Sequence, residues 1–275
     1  MVHPTLHFWV RRAFRIYPLS IVCVTAYVLA GLPPDLWDSP IRMSPLVVSS
    51  NLLLVQNLTR SSSVLAPLWS LPFEVQMYLV LPFIYAVARR GRTAAVAMIL
   101  CSVGAGAVAL VLKMDTVWRL IQFAPCFLSG VLAFKLLPGT QRWNGGWWIA
   151  AVLGLIGGAT SVLTVLEHGT SLAAWFTCVT LGILIPQFEE ISSHWLRAAS
   201  HTVAKYSYSI YLTQVPAMWI AARISRRFPV ELGAMGLLTV ALSLATYHLI
   251  EAPMIGIGKR IADGAFSRRQ PVAAS

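Results

Sequence analysis

The sequence has 275 residues, of which 57% are hydrophobic and only 11% are charged, with a mean hydropathy of +0.70. A soluble domain usually carries about 25% charged residues, so this chain has too few of them to cover a water-facing surface. Its net charge of +11 lies in short basic clusters between apolar runs, which is typical of a membrane protein and argues against nucleic acid as a partner. We therefore expect an all-α fold, a polytopic membrane helix bundle that forms a single domain over residues 1–275 within a lipid bilayer.

Eight apolar runs predict about eight transmembrane helices, because a span needs roughly 20 mostly apolar residues. They cover residues 16–32, 69–88, 94–112, 117–137, 147–166, 171–186, 203–224 and 231–250. A ninth apolar stretch, 46–55, is too short to span and predicts an interfacial or re-entrant segment.

Basic residues predict the orientation of these spans. The N-terminus shows no cleavable signal pattern. If it is cytoplasmic, the inner segments hold about twice as many Lys and Arg residues as the outer ones. The predicted location is the cell (inner or plasma) membrane, with both termini in the cytoplasm.

Arg12 and Arg15 stand just before the first span and are three residues apart, so they share one face if this stretch is helical. Two neighbouring guanidinium groups form a fork for phosphate or carboxylate. The alternative is a positive-inside anchor, with Tyr17 in the aromatic belt.

A second polar cluster opens the second span and contains Trp69, Ser70, Glu74, Gln76 and Tyr78. A purely structural interpretation is available, because Ser70 suits a helix cap and Glu74 suits the positive end of the helix dipole. The other interpretation is that polar groups on more than one face of a span line a cavity or pair internally.

Two more clusters lie near the C-terminus. Residues 206–214 (YSYSIYLTQ) place several hydroxyl groups and an amide inside a span, where they bind helices together or line a site. At the end of the last span, His248 and Glu251 are spaced to pair on one face, and Pro253 predicts the end of the helix.

Other kinds of site find no support. The four cysteines lie in apolar runs without CxxC or Cys/His spacing, so neither a metal site nor a disulfide framework is predicted. The chain has no Gly-rich phosphate loop, GxSxG elbow or HExxH motif, which excludes the soluble kinase, hydrolase and zinc-protease templates.

Taken together and in this order, the four clusters resemble the acyltransferase 3 family of membrane O-acyltransferases. Residues 12–18 resemble its RxxR motif with the (I/L)YP that follows, and residues 69–78 resemble WSLxxExxxY. Residues 207–212 resemble SYSIYL, and residues 250–253 resemble IExP.

The resemblance implies a reaction. An acyl group, often acetyl, moves from acyl-CoA to a hydroxyl of a saccharide, a cell-envelope polymer or a secondary metabolite. It implies catalytic roles for Glu74, Ser70 and Trp69, and binding of the CoA phosphates by Arg12 and Arg15. No bound cofactor is expected, and acyl-CoA is a co-substrate.

Two departures from the family pattern affect the expected activity. The chain begins where the third helix of the family is expected, and the family's catalytic His belongs to an earlier helix. Gln214 also stands where the family commonly has a His after SYSIYL, and Gln is not a general base at neutral pH. We expect activity to be low or absent if that earlier part is needed, since losing a general base typically costs on the order of 10²–10⁴ in rate.

A different class of function remains open. Polar groups within spans also line the permeation paths of transporters, and a transporter of a small polar or anionic solute is the alternative hypothesis. Against it, the sequence shows no inverted repeat and no matching pair of broken helices.

Overall fold

The computed structural model describes residues 4–30, 43–114, 118–136, 143–165, 169–224 and 227–267. Over these ranges the chain is almost entirely helical, and it contains no β-strand beyond one isolated bridge, which confirms the predicted all-α fold. The α-helices are α1 (Pro4–Leu29), α2 (Pro45–Leu52), α3 (Leu71–Ala88), α4 (Arg92–Val111), α5 (Arg119–Leu136), α6 (Trp148–Val165), α7 (Gly169–Leu184), α8 (His194–Ile224), α9 (Phe228–Thr246) and α10 (Ala252–Ser267).

Every predicted span overlaps one of these helices. Within the described part of the chain, four helical segments are long and apolar enough to cross a membrane, namely Thr5–Leu29, Ala66–Ala88, Arg92–Val111 and Phe228–Ala265. The chain is thus a bundle with several candidate spans, and the expected number of about eight crossings stays a prediction.

The first helix begins well before the first apolar run. The run starts at residue 16, whereas α1 begins at Pro4 and includes the whole basic cluster. Apolar run length marks the part of a helix that suits hydrocarbon, but arginine is itself a good helix former and extends the helix beyond that part. Arg12 and Arg15 are therefore helical, as the shared-face argument required.

The prediction that Pro253 ends the last helix is wrong. The chain passes from α9 through a π-helical turn, Tyr247–Glu251, into α10, where Pro253 is the second residue. A π turn interrupts the regular α-helical hydrogen bonding, and the first turn of a helix tolerates a residue without an N–H group.

The chain divides into two compact units, and each is described by itself. The first comprises residues 1–78 and 201–275, and the second comprises residues 79–200. In the second unit, α5 packs against both α4 and α7, and α7 packs against α6. Its core is formed by Ala88, Ile99, Leu128, Val131 and Leu132.

The core of the first unit joins α1 to the segment before α3 and to α8. Its buried residues are Ile16, Leu19, Val24, Tyr27, Leu54, Val64, Leu65, Leu68, Leu71 and Leu212. Helix α10 packs along α1, where Gly258 lies against Phe14 and His7 contacts Asp263 at 3.0 Å.

Side-chain amides order the segment between α2 and α3. Ser44 caps α2 by accepting from the Val47 N–H, and Pro45 is its first residue. Asn51 donates to the carbonyl groups of Val47 and Ser62 and accepts from the Val64 N–H, and Gln56 donates to the Leu68 carbonyl at 2.8 Å. These bonds fix the short 3-10 helix Ala66–Trp69 that leads into α3.

The contact between α1 and α10 generates a stability prediction. A Cβ atom at Gly258 would lie 2.5 Å from the Cβ atom of Phe14, whereas one at Gly256 would meet nothing within 4 Å. Gly258→Ala should therefore destabilise the protein by about 1–3 kcal/mol through overpacking. The matched Gly256→Ala should stabilise it by about 0.5–1 kcal/mol through helix propensity. Thermal unfolding of both variants in detergent measures the difference, and equal midpoints would contradict the packing.

Candidate functional site

A cavity of about 410 Å³ lies within the first unit. Three parts of the chain line it, namely the middle of α1, the start of α3 with the residue before it, and the middle of α8. Its lining residues are Arg12, Arg15, Ile16, Ser70, Leu71, Glu74, Tyr78, Ser207, Tyr208 and Tyr211. Three of the four polar clusters of the sequence thus meet at one place.

The α3 wall of the cavity carries Ser70, Glu74 and Tyr78. These residues are four apart, so they lie above one another on one helix face. The Tyr78 hydroxyl donates to Glu74 Oε1 at 2.6 Å, which fixes the carboxylate along the helix axis. Gln76 belongs to another face, where it exchanges two hydrogen bonds with Asn57 at 2.9 and 3.2 Å.

The α1 wall supplies two positive charges in different surroundings. The Arg12 guanidinium is half-buried and lies 4.8 Å from the ring centre of Tyr78 and 5.3 Å from that of Phe8. Arg15 is exposed and lies within electrostatic range of Tyr78 and of Glu251. Among the described lining residues there are two guanidinium groups and one carboxylate, so this part of the lining is net positive and suits an anionic ligand.

The α8 wall is built from hydroxyl groups that bond to protein. The Tyr208 hydroxyl donates to the Ile16 carbonyl at 2.6 Å, and the Tyr211 hydroxyl donates to the Pro67 carbonyl at 2.8 Å. The Tyr211 oxygen also lies 2.7 Å from Ser70 Oγ. These bonds join α8 to α1 and to the segment before α3, and they hold the three walls together.

The fourth cluster bonds to α8, and its residues are not among those that line the cavity. Glu251 is only 2% exposed and accepts a hydrogen bond of 2.7 Å from Ser209. His248 instead lies 3.1 Å from the Tyr206 hydroxyl on the exposed side. The expected pairing of His248 with Glu251 is therefore replaced by two separate contacts with α8, because the π turn changes the spacing of the two side chains.

Four of the five residues that the sequence singled out line the cavity, namely Arg12, Arg15, Ser70 and Glu74. Trp69 is not among the lining residues. It ends the 3-10 helix Ala66–Trp69, with 52% of its surface exposed. The catalytic and binding roles of all five residues stay predictions.

Sequence reasoning assigned no individual role to the α8 residues of the lining. Ser207, Tyr208 and Tyr211 recur at the three- and four-residue spacing of one helix face, and this is the signal from which a shared wall could have been predicted. Their hydrogen-bond partners on α1 and at Pro67 depend on tertiary contacts and leave no trace in the local sequence.

A family model described as "Acyltransferase domain" matches residues 3–248, which include every residue that lines the cavity. The chain belongs to the acyltransferase 3 family. This confirms the resemblance carried by the four motifs, and it identifies the protein as a membrane acyltransferase in general terms. No curated protein and no solved structure matches this acyltransferase 3 chain.

The buried contact between Ser209 and Glu251 generates a second stability prediction. Ser209→Ala removes the donor to Glu251 and leaves a buried carboxyl oxygen without that partner, which should cost about 1–3 kcal/mol. Ser207→Ala, two residues away on the exposed side, should change stability by less than about 0.5 kcal/mol. Thermal unfolding of the two variants in detergent provides the comparison. Equal stability would show that the Ser209–Glu251 bond contributes nothing.

Proposed function

We propose that this acyltransferase 3 protein moves an acyl group, with acetyl as the first candidate, from acyl-CoA to a hydroxyl group. The proposed acceptor is a saccharide or another cell-envelope or secondary-metabolite molecule. The observation that carries the proposal is the meeting of a guanidinium pair, a carboxylate and several hydroxyl groups in one cavity.

The guanidinium pair is suited to the phosphates of the acyl donor. Guanidinium groups bind phosphate oxygens through paired, charge-assisted hydrogen bonds. The side chain of Arg12 is held against Tyr78 and Phe8, whereas Arg15 is more exposed. In this proposal Arg15 makes the main contact with phosphate, and Arg12 adds charge from a fixed position.

The carboxylate is suited to the acceptor hydroxyl. Glu74 is the carboxylate among the lining residues, and its bond from Tyr78 occupies Oε1 and leaves acceptor capacity on the other oxygen. The acceptor oxygen attacks the thioester carbon while Glu74 takes its proton. The C–S bond then breaks, and CoA leaves as the thiol after the proton passes to its sulfur.

A substitution of the carboxylate tests this function. Glu74→Gln keeps the size of the side chain and an oxygen for Tyr78 but loses the charge and the proton acceptor, so acyl transfer should fall about 10²-fold or more. Glu231→Gln, in the first turn of α9, is the matched control and should retain wild-type transfer. The measurement is the transfer of labelled acyl groups from acyl-CoA by membranes that contain each variant.

Two outcomes would contradict the proposal. Full acyl transfer by Glu74→Gln would remove Glu74 from the chemistry. If the wild-type protein transfers no acyl group and the Glu74→Gln substitution changes the uptake of a small anionic solute, the transporter hypothesis would be favoured.

The guanidinium pair generates a second test. Arg15→Ala should raise the KM for acyl-CoA by about tenfold or more, because a hydrogen bond to a charged group contributes roughly 1.5–3 kcal/mol, and it should change kcat little. Arg11→Ala, an exposed arginine on α1 outside the cavity lining, is the control and should leave KM unchanged.

A donor without phosphates sharpens the assignment. With a short acyl thioester that lacks the nucleotide, the difference between wild type and Arg15→Ala should disappear. An equal loss with both donors would show that Arg15 acts on the structure of the site rather than on the phosphates.

A further inference from the structure

Among the described lining residues, five carry a hydroxyl group, and the four other than Ser70 each donate their proton to a protein oxygen. Tyr78 donates to Glu74, and Ser207 donates to the Ala204 carbonyl at 2.9 Å. The acceptors for Tyr208 and Tyr211 are the carbonyl groups of Ile16 and Pro67. None of these four protons remains available for a ligand.

The fifth hydroxyl belongs to Ser70, and the direction of its hydrogen bond follows from the number of protons available. A tyrosine hydroxyl has one proton, and that of Tyr211 is engaged by the Pro67 carbonyl, which is only an acceptor, at 2.8 Å. In the 2.7 Å contact between Ser70 Oγ and the Tyr211 oxygen, Ser70 is therefore the donor. Within the described residues, Ser70 Oγ has one further acceptor in reach, the Pro67 carbonyl at 3.5 Å. Whether Ser70 donates to the Tyr211 oxygen or to the Pro67 carbonyl, its proton is bonded within the protein.

We infer that Tyr211 is a positioning residue that fixes the Ser70 hydroxyl as a hydrogen-bond acceptor toward the ligand. Ser70 then binds an O–H or N–H group rather than the carbonyl oxygen of the thioester. Within the proposed function, on which this inference rests, the group is the acceptor hydroxyl or an amide N–H of the CoA arm. Ser70 is then not a donor to the negative charge that develops on the thioester oxygen.

A double-mutant cycle on the full chain tests this role. Ser70→Ala and Tyr211→Phe should each lower kcat/KM by about fivefold to tenfold, the range of one hydrogen bond. The double variant should be within about twofold of Ser70→Ala, because Tyr211 acts through Ser70. Tyr206→Phe is the matched control, since its hydroxyl contacts His248 on the same helix but outside the cavity lining, and it should keep wild-type activity.

The kinetic constants separate the two sources of the ligand donor. In Ser70→Ala, a raised KM for the acceptor identifies the acceptor hydroxyl, and a raised KM for acyl-CoA identifies an amide N–H. Multiplying losses in the double variant, or a Tyr211→Phe variant with wild-type kinetics, would overturn the inference. If Tyr211→Phe does not accumulate in the membrane, Ser70→Cys replaces it. A thiol is a weak acceptor, so wild-type kinetics in Ser70→Cys would overturn the inference as well.

A stability cycle keeps this result apart from the proposed function. The loss of unfolding temperature in the double variant should be smaller than the summed losses of the single variants by about 2 °C. Additive losses would overturn the Ser70–Tyr211 bond whether or not the protein is active. A different outcome is clear coupling between the two substitutions together with a wild-type chain that transfers no acyl group. That outcome would overturn the proposed function and the ligand role of Ser70, and only the Ser70–Tyr211 bond would stand.

Discussion

Polar side chains among apolar helices have little water to bond with, so they must find partners within the protein, and this constraint shapes the first unit. Tyr208 joins α8 to α1, Tyr211 joins α8 to the Pro67 carbonyl, and Ser209 joins α8 to Glu251. Each bond satisfies a group that would be costly to leave unpaired, and each also fixes one wall of the cavity. The same three hydrogen bonds thus satisfy buried polar groups and position the walls of the cavity.

The order imposed by these contacts begins outside the long helices. Asn51 and Gln56 bond to backbone groups of the segment before α3, so the 3-10 helix Ala66–Trp69 has a defined position although no long helix contains it. That helix carries the Pro67 carbonyl, which accepts the Tyr211 proton. A short connection with buried amides therefore determines the direction of a hydroxyl group in the cavity.

Run length and motif order predict much of the fold and of the candidate site. All predicted spans overlap helices, because the thickness of the hydrocarbon layer fixes how many apolar residues a spanning helix needs. The placement of Arg12, Arg15, Ser70 and Glu74 around one cavity agrees with the order of the motifs. Apolar run length misses the early start of α1, where arginine extends the helix, and the Pro signal misses the new helix that begins at Ala252 after the π turn. The contact between Ser70 and Tyr211, 141 residues apart in the chain, has no local signal at all.

The cavity is chemically asymmetric, and the asymmetry gives a bound ligand a direction. The α1 wall offers guanidinium donors, whereas the α3 wall offers the Glu74 carboxylate and, if its proton is held as inferred, the lone pairs of Ser70. A molecule with phosphate at one end and an O–H or N–H group at the other satisfies both walls in one orientation only. In the reverse orientation its phosphate faces the Glu74 carboxylate, which repels it. Its hydrogen-bond donors then face guanidinium groups, which are donors themselves and cannot accept. An acyl donor held in the first orientation presents its negative end to Arg15 and leaves the Glu74 side for the incoming hydroxyl, so one arrangement of charge serves both substrates of the proposed reaction.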